Sequence, residues 1–277
     1  MNKLNTTKRT AVLSALVEVN SIRSTVRMTG VAKGTVLKLV VDLGTACAKY
    51  QHETIRDLSG CRHIECDEIW SFWGMKQKNI PAERQGELGI GDVWTWKAMC
   101  SDTKLLISWL VGARDGEHAC VFVADLAGRL AHRVQLTTDG LKCYLNAVEE
   151  GFGGAIDYAQ LIKIYDNDTG NGSEIRDSPG EQVETRREVV SGKPLVNFIG
   201  TSYVERPNLT TRMRIGRFTR LTNGFSKKIE NHGYAFAIYA MHYNFVRRHQ
   251  SIHVTPAMAA GVTHKLWSIE DMVGLLD

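Results

Sequence analysis

The hydrophobic period of this chain changes once, near residue 60, and that change limits the folds open to it. Over residues 8–19, Val12, Leu13, Leu16 and Val17 recur at helical spacing, and over 32–43 so do Val36, Leu37 and Val40. Ser21 suits the N-cap of a short helix through residue 28, and Thr29-Gly30-Val31 reads as a tight turn. From Cys61 onward apolar and polar residues alternate instead, which predicts strands over 61–74, 93–100, 104–112, 134–138 and 155–164. Helical patterns separate or follow them at 117–130, 141–150, 205–222, 225–248 and 256–262, and a last strand is expected at 197–201. The reading is a small all-α unit (1–50), a polar linker (51–60) and an α/β core with a mixed sheet flanked by helices (61–262), followed by a tail (263–277). Residues 165–192 are rich in Gly, Ser and Asp and read as an inserted flexible loop. Within that loop Asp166-Asn167-Asp168 opens like a calcium loop, but Asn171 stands where the turn needs Gly, so the match fails.

Composition adds exclusions. No apolar run approaches the roughly 20 residues that span a bilayer, so no membrane partner is expected. Cys47, Cys61, Cys66, Cys100, Cys120 and Cys143 include no C-x-x-C pair, which leaves no zinc ribbon or redox motif. Cys61 and His63 fall on one face of a strand and Cys66 on the other, which disfavours a shared metal. Scattered cysteines without a signal peptide fit a reducing cytosol. The net charge of +4 is modest, but residues 206–220 hold five arginines and no acid, and Lys227, Lys228, Arg247, Arg248 and His249 follow. A basic region of that kind suits a polyanion.

The helix, Gly-containing turn, helix plan of residues 21–43 is that of a helix-turn-helix, in which the second helix enters the major groove of double-stranded DNA. Lys33, Thr35 and Lys38 are its candidate contacts. A plain three-helix bundle has the same pattern. Among the acids, Asp67 sits in a strand, Asp139 closes another and Glu205 opens a basic helix. Two strand-borne aspartates and one helix-borne glutamate can hold two Mg²⁺ ions, with Mn²⁺ as a substitute, because these cations take hard oxygen ligands. Asn208 and Arg212 lie one and two turns after Glu205, placed to touch a phosphate or to orient the glutamate. Arg248 and His249 are further DNA candidates. The tryptophans at 70, 73, 94, 96 and 109 fall mostly in strands and read as core.

Three stretches, Cys66-Asp67-Glu68-Ile69-Trp70-Ser71-Phe72, Thr137-Thr138-Asp139-Gly140 and Ser202-Tyr203-Val204-Glu205-Arg206-Pro207-Asn208-Leu209, together resemble the DDE transposases of the insertion sequence 1 type. The run from Arg217 to Lys227 is similar to the family's segment after its glutamate. Tyr243-Asn244-Phe245-Val246-Arg247-Arg248-His249, followed by Thr255-Pro256-Ala257, is similar to the close of many transposase and integrase cores. The resemblance covers residues 61–262. It implies a ribonuclease H-like fold and a triad of Asp67, Asp139 and Glu205 binding divalent metal. It further implies cleavage and strand transfer of transposon ends, a homo-oligomer on DNA, and a place at the bacterial nucleoid. A departure is the N-terminus, where family members often carry a zinc ribbon and this chain has no cysteine before Cys47. Two other expectations remain open: a domesticated DNA-binding protein without chemistry, and a ribonuclease H-like nuclease that does not join strands.

Overall fold

Strand β1 (His63–Trp73) is buried on both faces, its polar Glu65, Glu68 and Ser71 as well as its apolar Ile64, Cys66, Ile69 and Phe72. A computed structural model describes residues 4–87, 89–165, 182–218 and 224–277 and places β1 inside a six-stranded mixed sheet. β2 (Gly91–Cys100) and β3 (Leu106–Gly112) follow as antiparallel neighbours, closed by a turn in which Cys100 N–H donates to the Leu105 carbonyl. β4 (Val134–Asp139) lies on the other side of β1 and parallel to it, and β5 (Ile156–Tyr165) is parallel to β4. β6 (Gln182–Ser191) pairs antiparallel with β5, so the order is β3-β2-β1-β4-β5-β6.

Helices cover both faces. α4 (Gly116–Ala127) and α5 (Cys143–Phe152) pack on the face that carries Cys66, Trp96 and Ala98, where the Trp96 ring meets Phe122 and Tyr144. α6 (Ser202–Arg214) and α7 (Ile229–Met241) cover the opposite face through Val204, Phe236 and Tyr239 against Ile69, Met99 and Leu106. α7 passes without a break into a π-helical turn, His242–Val246. The N-terminal helices α1 (Thr6–Val17), α2 (Ile22–Thr29) and α3 (Lys33–Thr54) share one hydrophobic cluster with the sheet and α7. Ser21 caps α2 by accepting from Ser24 N–H, and Gly30 closes it at φ 66°, a conformation glycine takes without penalty.

Several expected boundaries differ. The linker at 51–60 is helix as far as Thr54, because Gln51 is buried against the Ala237 carbonyl and Ile55 and Leu58 enter the core. The second half of the expected loop at 165–192 is β6, whose described side chains from 184 to 190 are all exposed, so no apolar alternation marked it. Asp166-Asn167-Asp168 lies outside the described residues. The strand expected at 197–201 is a 3-10 turn, Val196–Phe198. The helix expected at 205–222 begins earlier and ends at Arg214, where Ile215 turns extended. Arg248 and His249 lie beyond α7 in a turn held by His249 N–H to the Val254 carbonyl. The tail is anchored: after a short α8 (Pro256–Ala259), α9 (Ile269–Gly274) carries a Ser268/Asp271 capping box and buries Met272 and Val273, and Arg9 on α1 ion-pairs Asp277 at 2.9 Å.

Candidate metal centre

β1 and β4 pair only as far as Glu65↔Thr137. Beyond that point β1 continues beside β2 while β4 ends at Asp139, so the carboxyl ends of two parallel strands diverge and open a mouth. Ligand sites of open α/β sheets form at such a mouth. Asp67, Glu68 and Asp139 line this one, each offering a carboxylate oxygen, and the three oxygens lie within 4.8 Å of one another. Of the three expected ligands, the fold therefore brings Asp67 and Asp139 together. Glu205 is near enough for its charge to act on both aspartates, but it stands outside that cluster, held by Lys163 on β5 and by the Thr201 hydroxyl at 2.5 Å.

Glu68 is the ligand candidate that sequence reasoning missed. Strand alternation sends it to the face opposite Asp67, yet at the end of β4 one oxygen of each carboxylate lies within the same cluster. The Glu68 side chain is 1% exposed, accepts a 2.5 Å hydrogen bond from the Tyr144 hydroxyl and ion-pairs Arg114 at 3.0 Å. Arg114 also reaches Asp139 at 3.3 Å and lies over the Trp94 ring, 4.7 Å from its centroid. Asp139 turns its other oxygen to Leu141 N–H at 3.0 Å, a local turn that fixes the carboxylate.

On the Asp67 face, Asn208 Nδ2 donates to Asp67 Oδ2 at 2.5 Å. Asn208 thus orients the aspartate rather than the glutamate on its own helix. Its Oδ1 is buried and has no hydrogen-bond partner among the described residues. A buried acceptor without a donor is costly. The three clustered carboxylates offer hard oxygen donors of the kind that Mg²⁺ or Mn²⁺ takes. Glu65, also missed, accepts from Val204 N–H at 3.0 Å and so ties the start of α6 to β1. Lys97, 1% exposed, stands directly across from Asp67 in the β1–β2 register. Arg212, half-buried on α6, faces the same interior and its charge acts on Lys97. Lys33, Thr35 and Lys38 are exposed on α3, with Lys38 ion-paired to Asp42. Arg248 is exposed, and the His249 ring receives Ser251 N–H at 3.3 Å.

Burial and mutual repulsion raise these acids. Burial, then the Asp139 charge, pushes Glu68 up to about 7 and also raises Asp67, and burial raises Asp139. Burial pushes Glu65 up to about 7 and depresses the Lys97 ammonium. A carboxyl raised on folding holds its proton longer in the folded chain than in the unfolded one. Glu68 therefore takes stability from the metal-free protein as pH rises from about 4, where unfolded Glu ionises, to about 7, where folded Glu68 does. Glu68→Gln is expected to stabilise the metal-free protein by about 2 kcal/mol at pH 8 and by almost nothing at pH 4. Urea unfolding in EDTA at the two pH values measures this, and an equal effect at both would show that Glu68 carries no folding penalty.

No protein-family model matches the chain, and no curated protein is significantly similar to it. Among the described residues, no helix is long and apolar enough to cross a membrane.

Proposed function

We propose that this protein is a DDE-type transposase, a metal-dependent enzyme that cleaves transposon ends and joins them to target DNA. The observation that carries the reading is the meeting of Asp67 and Asp139, far apart in sequence, at one strand-end mouth with a third carboxylate, Glu68. The strand order, with β1–β3 antiparallel and β4 and β5 parallel to β1, is compatible with a ribonuclease H-like fold. Asp67, Glu68 and Asp139 would hold a divalent ion, with Glu205 beside them on α6. Two such ions, when bound, would supply Lewis acidity at the phosphoryl oxygens and a nucleophile at neutral pH.

The chain's own groups then have separate tasks. Asn208 holds Asp67 in a single orientation. Arg114, already braced by Trp94, can turn its fork from Glu68 and Asp139 to a phosphate once a cation neutralises those acids. Lys163 can do the same on leaving Glu205. α2 and α3 form the helix-turn-helix that reads transposon ends through Lys33, Thr35 and Lys38, and Arg248 and His249 add backbone contacts. The protein acts as a homo-oligomer on paired ends in the nucleoid.

One observation favours a second reading, a DNA-binding protein without chemistry: Arg114 pairs with Glu68 and Asp139, and Lys163 pairs with Glu205, so three of the four acids already have a cationic partner within the chain. Linear DNA ending in the inverted repeats that bracket the coding sequence separates the readings. Strand joining in Mg²⁺ or Mn²⁺, abolished by EDTA, is the expected result. Cleavage without joining identifies a nuclease, and a metal-independent mobility shift alone identifies a binder.

A further inference from the structure

A cleft of about 840 Å³ runs between α2–α3 on one side and the end of α6 with α7 on the other. Of the described residues, six cationic side chains line it, Arg23, Lys33, Arg214, Arg217, Lys227 and Arg247, and no carboxylate does. Among the described residues only Arg214 of the six has an ion pair, a 3.1 Å contact with Glu18, which lies outside the wall. Arg217 is fixed instead by a 3.1 Å bond to the Ser226 hydroxyl. Six like charges answered by the single acid Glu18 repel one another, and an anion with several negative groups removes that repulsion. The floor is apolar. Ile238 and Leu37 contribute to it, and Phe225 presents a half-buried ring backed by Phe72 at 5.1 Å.

We propose that this cleft binds a single strand of DNA, its phosphates held by the cationic walls and an unpaired base laid on Phe225. A duplex turns its bases inward and offers such a cleft only backbone, which leaves the apolar floor unused. A single strand satisfies both surfaces, since base-on-aromatic stacking and a basic groove are what sequence-tolerant strand binding requires. The choice of DNA as the nucleic acid rests on the proposed function. α6 supplies a physical link between the two sites. Asn208, which orients Asp67, and Arg214, in the cleft, lie on one rigid helix roughly 9 Å apart along its axis at 1.5 Å per residue. A strand whose reacting phosphate sits at the acids thus has neighbouring nucleotides within reach of the cleft, so the cleft would hold the strand on one side of the cut.

The test is fluorescence anisotropy with a labelled 12-nucleotide strand, the full chain and EDTA, so that binding is read without chemistry. Arg23→Ala with Arg247→Ala is expected to weaken binding at least tenfold and to lower the slope of log Kd against log salt by about 1.4, two contacts at roughly 0.7 each. Lys193→Ala, on the loop after β6, serves as a charge control and should change neither. Phe225→Ala should weaken a normal strand several-fold and leave an abasic strand unaffected. Unchanged thermal midpoints establish that the variants fold. Wild-type affinity in the double variant, an equal loss in the control, or tighter binding of a 12-base-pair duplex overturns the proposal. Displacement of the strand by a mononucleotide at equal phosphate concentration overturns it too, in favour of a free nucleotide. Because the readout needs no metal, Asp67→Asn should retain strand binding. Loss of catalysis with binding intact counts against neither site, whereas binding without any cleavage by the wild type sinks the transposase reading and leaves the cleft standing.

Discussion

Asp67→Asn and Asp139→Asn should each lower metal-dependent DNA cleavage by roughly 10²–10³-fold or more, the size of effect expected when one preorganised electrostatic stabiliser is removed. Neither should unfold the protein. Asn at 67 keeps a side-chain oxygen that can accept from Asn208, and it relieves a carboxyl that burial and Asp139 already strain. DNA binding without metal should remain, because the basic surfaces lie on other elements. The same assay on Glu68→Gln and Glu205→Gln decides the third ligand. If Glu68→Gln loses activity as completely as Asp67→Asn while Glu205→Gln keeps most of it, the working set is Asp67, Glu68 and Asp139. The reverse pattern means that metal and DNA draw Glu205 away from Lys163 and into the site. Wild-type cleavage by Asp67→Asn would remove the acid cluster from the chemistry altogether.

The second large effect concerns stability. α3 and α7 approach so closely that a Cβ on Gly44 would stand 2.4 Å from Tyr234 Cβ and 2.7 Å from its Cα. The obstruction is backbone and the root of a side chain, so no rotamer change relieves it and the helices must separate. Gly44→Ala is expected to cost about 3 kcal/mol, the upper part of the range for overpacking. That corresponds to a fall of roughly 6–12 °C in thermal midpoint for a chain of this size. Circular dichroism melting measures it. The substitution also reports on organisation, because α3 belongs to the N-terminal helices and α7 to the core. One cooperative transition moving as a whole supports a single folding unit. A small early transition, with the rest unchanged, would show that the N-terminal helices melt on their own.

Glu68 and Asp67 show how far strand reasoning reaches. A period of two assigns them to opposite faces, and that assignment is correct for their neighbours Cys66 and Ile69, which enter different hydrophobic clusters. It holds for the two carboxylates as well, Asp67 meeting Asn208 of α6 and Glu68 meeting Tyr144 of α5, but it does not tell that their tips converge beside Asp139, because a strand's own periodicity carries no record of where a partner stops. β6 was illegible for a related reason: an edge strand with an exposed surface needs no apolar alternation, and its pairing with β5 is backbone bonding. Lys97 was legible in principle, since pairing β1 with β2 puts it opposite Asp67, but only once the register is known.

The sequence by itself determined the local elements: three N-terminal helices with their Ser21 cap and Gly30 turn, a strand-rich core, and two aspartates at strand positions suited to a metal. These follow from short-range spacing and capping chemistry, which neighbouring residues encode. Only the tertiary structure decided which acids converge, that Glu205 is held apart by Lys163, and that six cations from both ends of the chain share one cleft. Those facts depend on where strands diverge and how helices cross, and distances between residues remote in sequence are set by the packing of the whole chain.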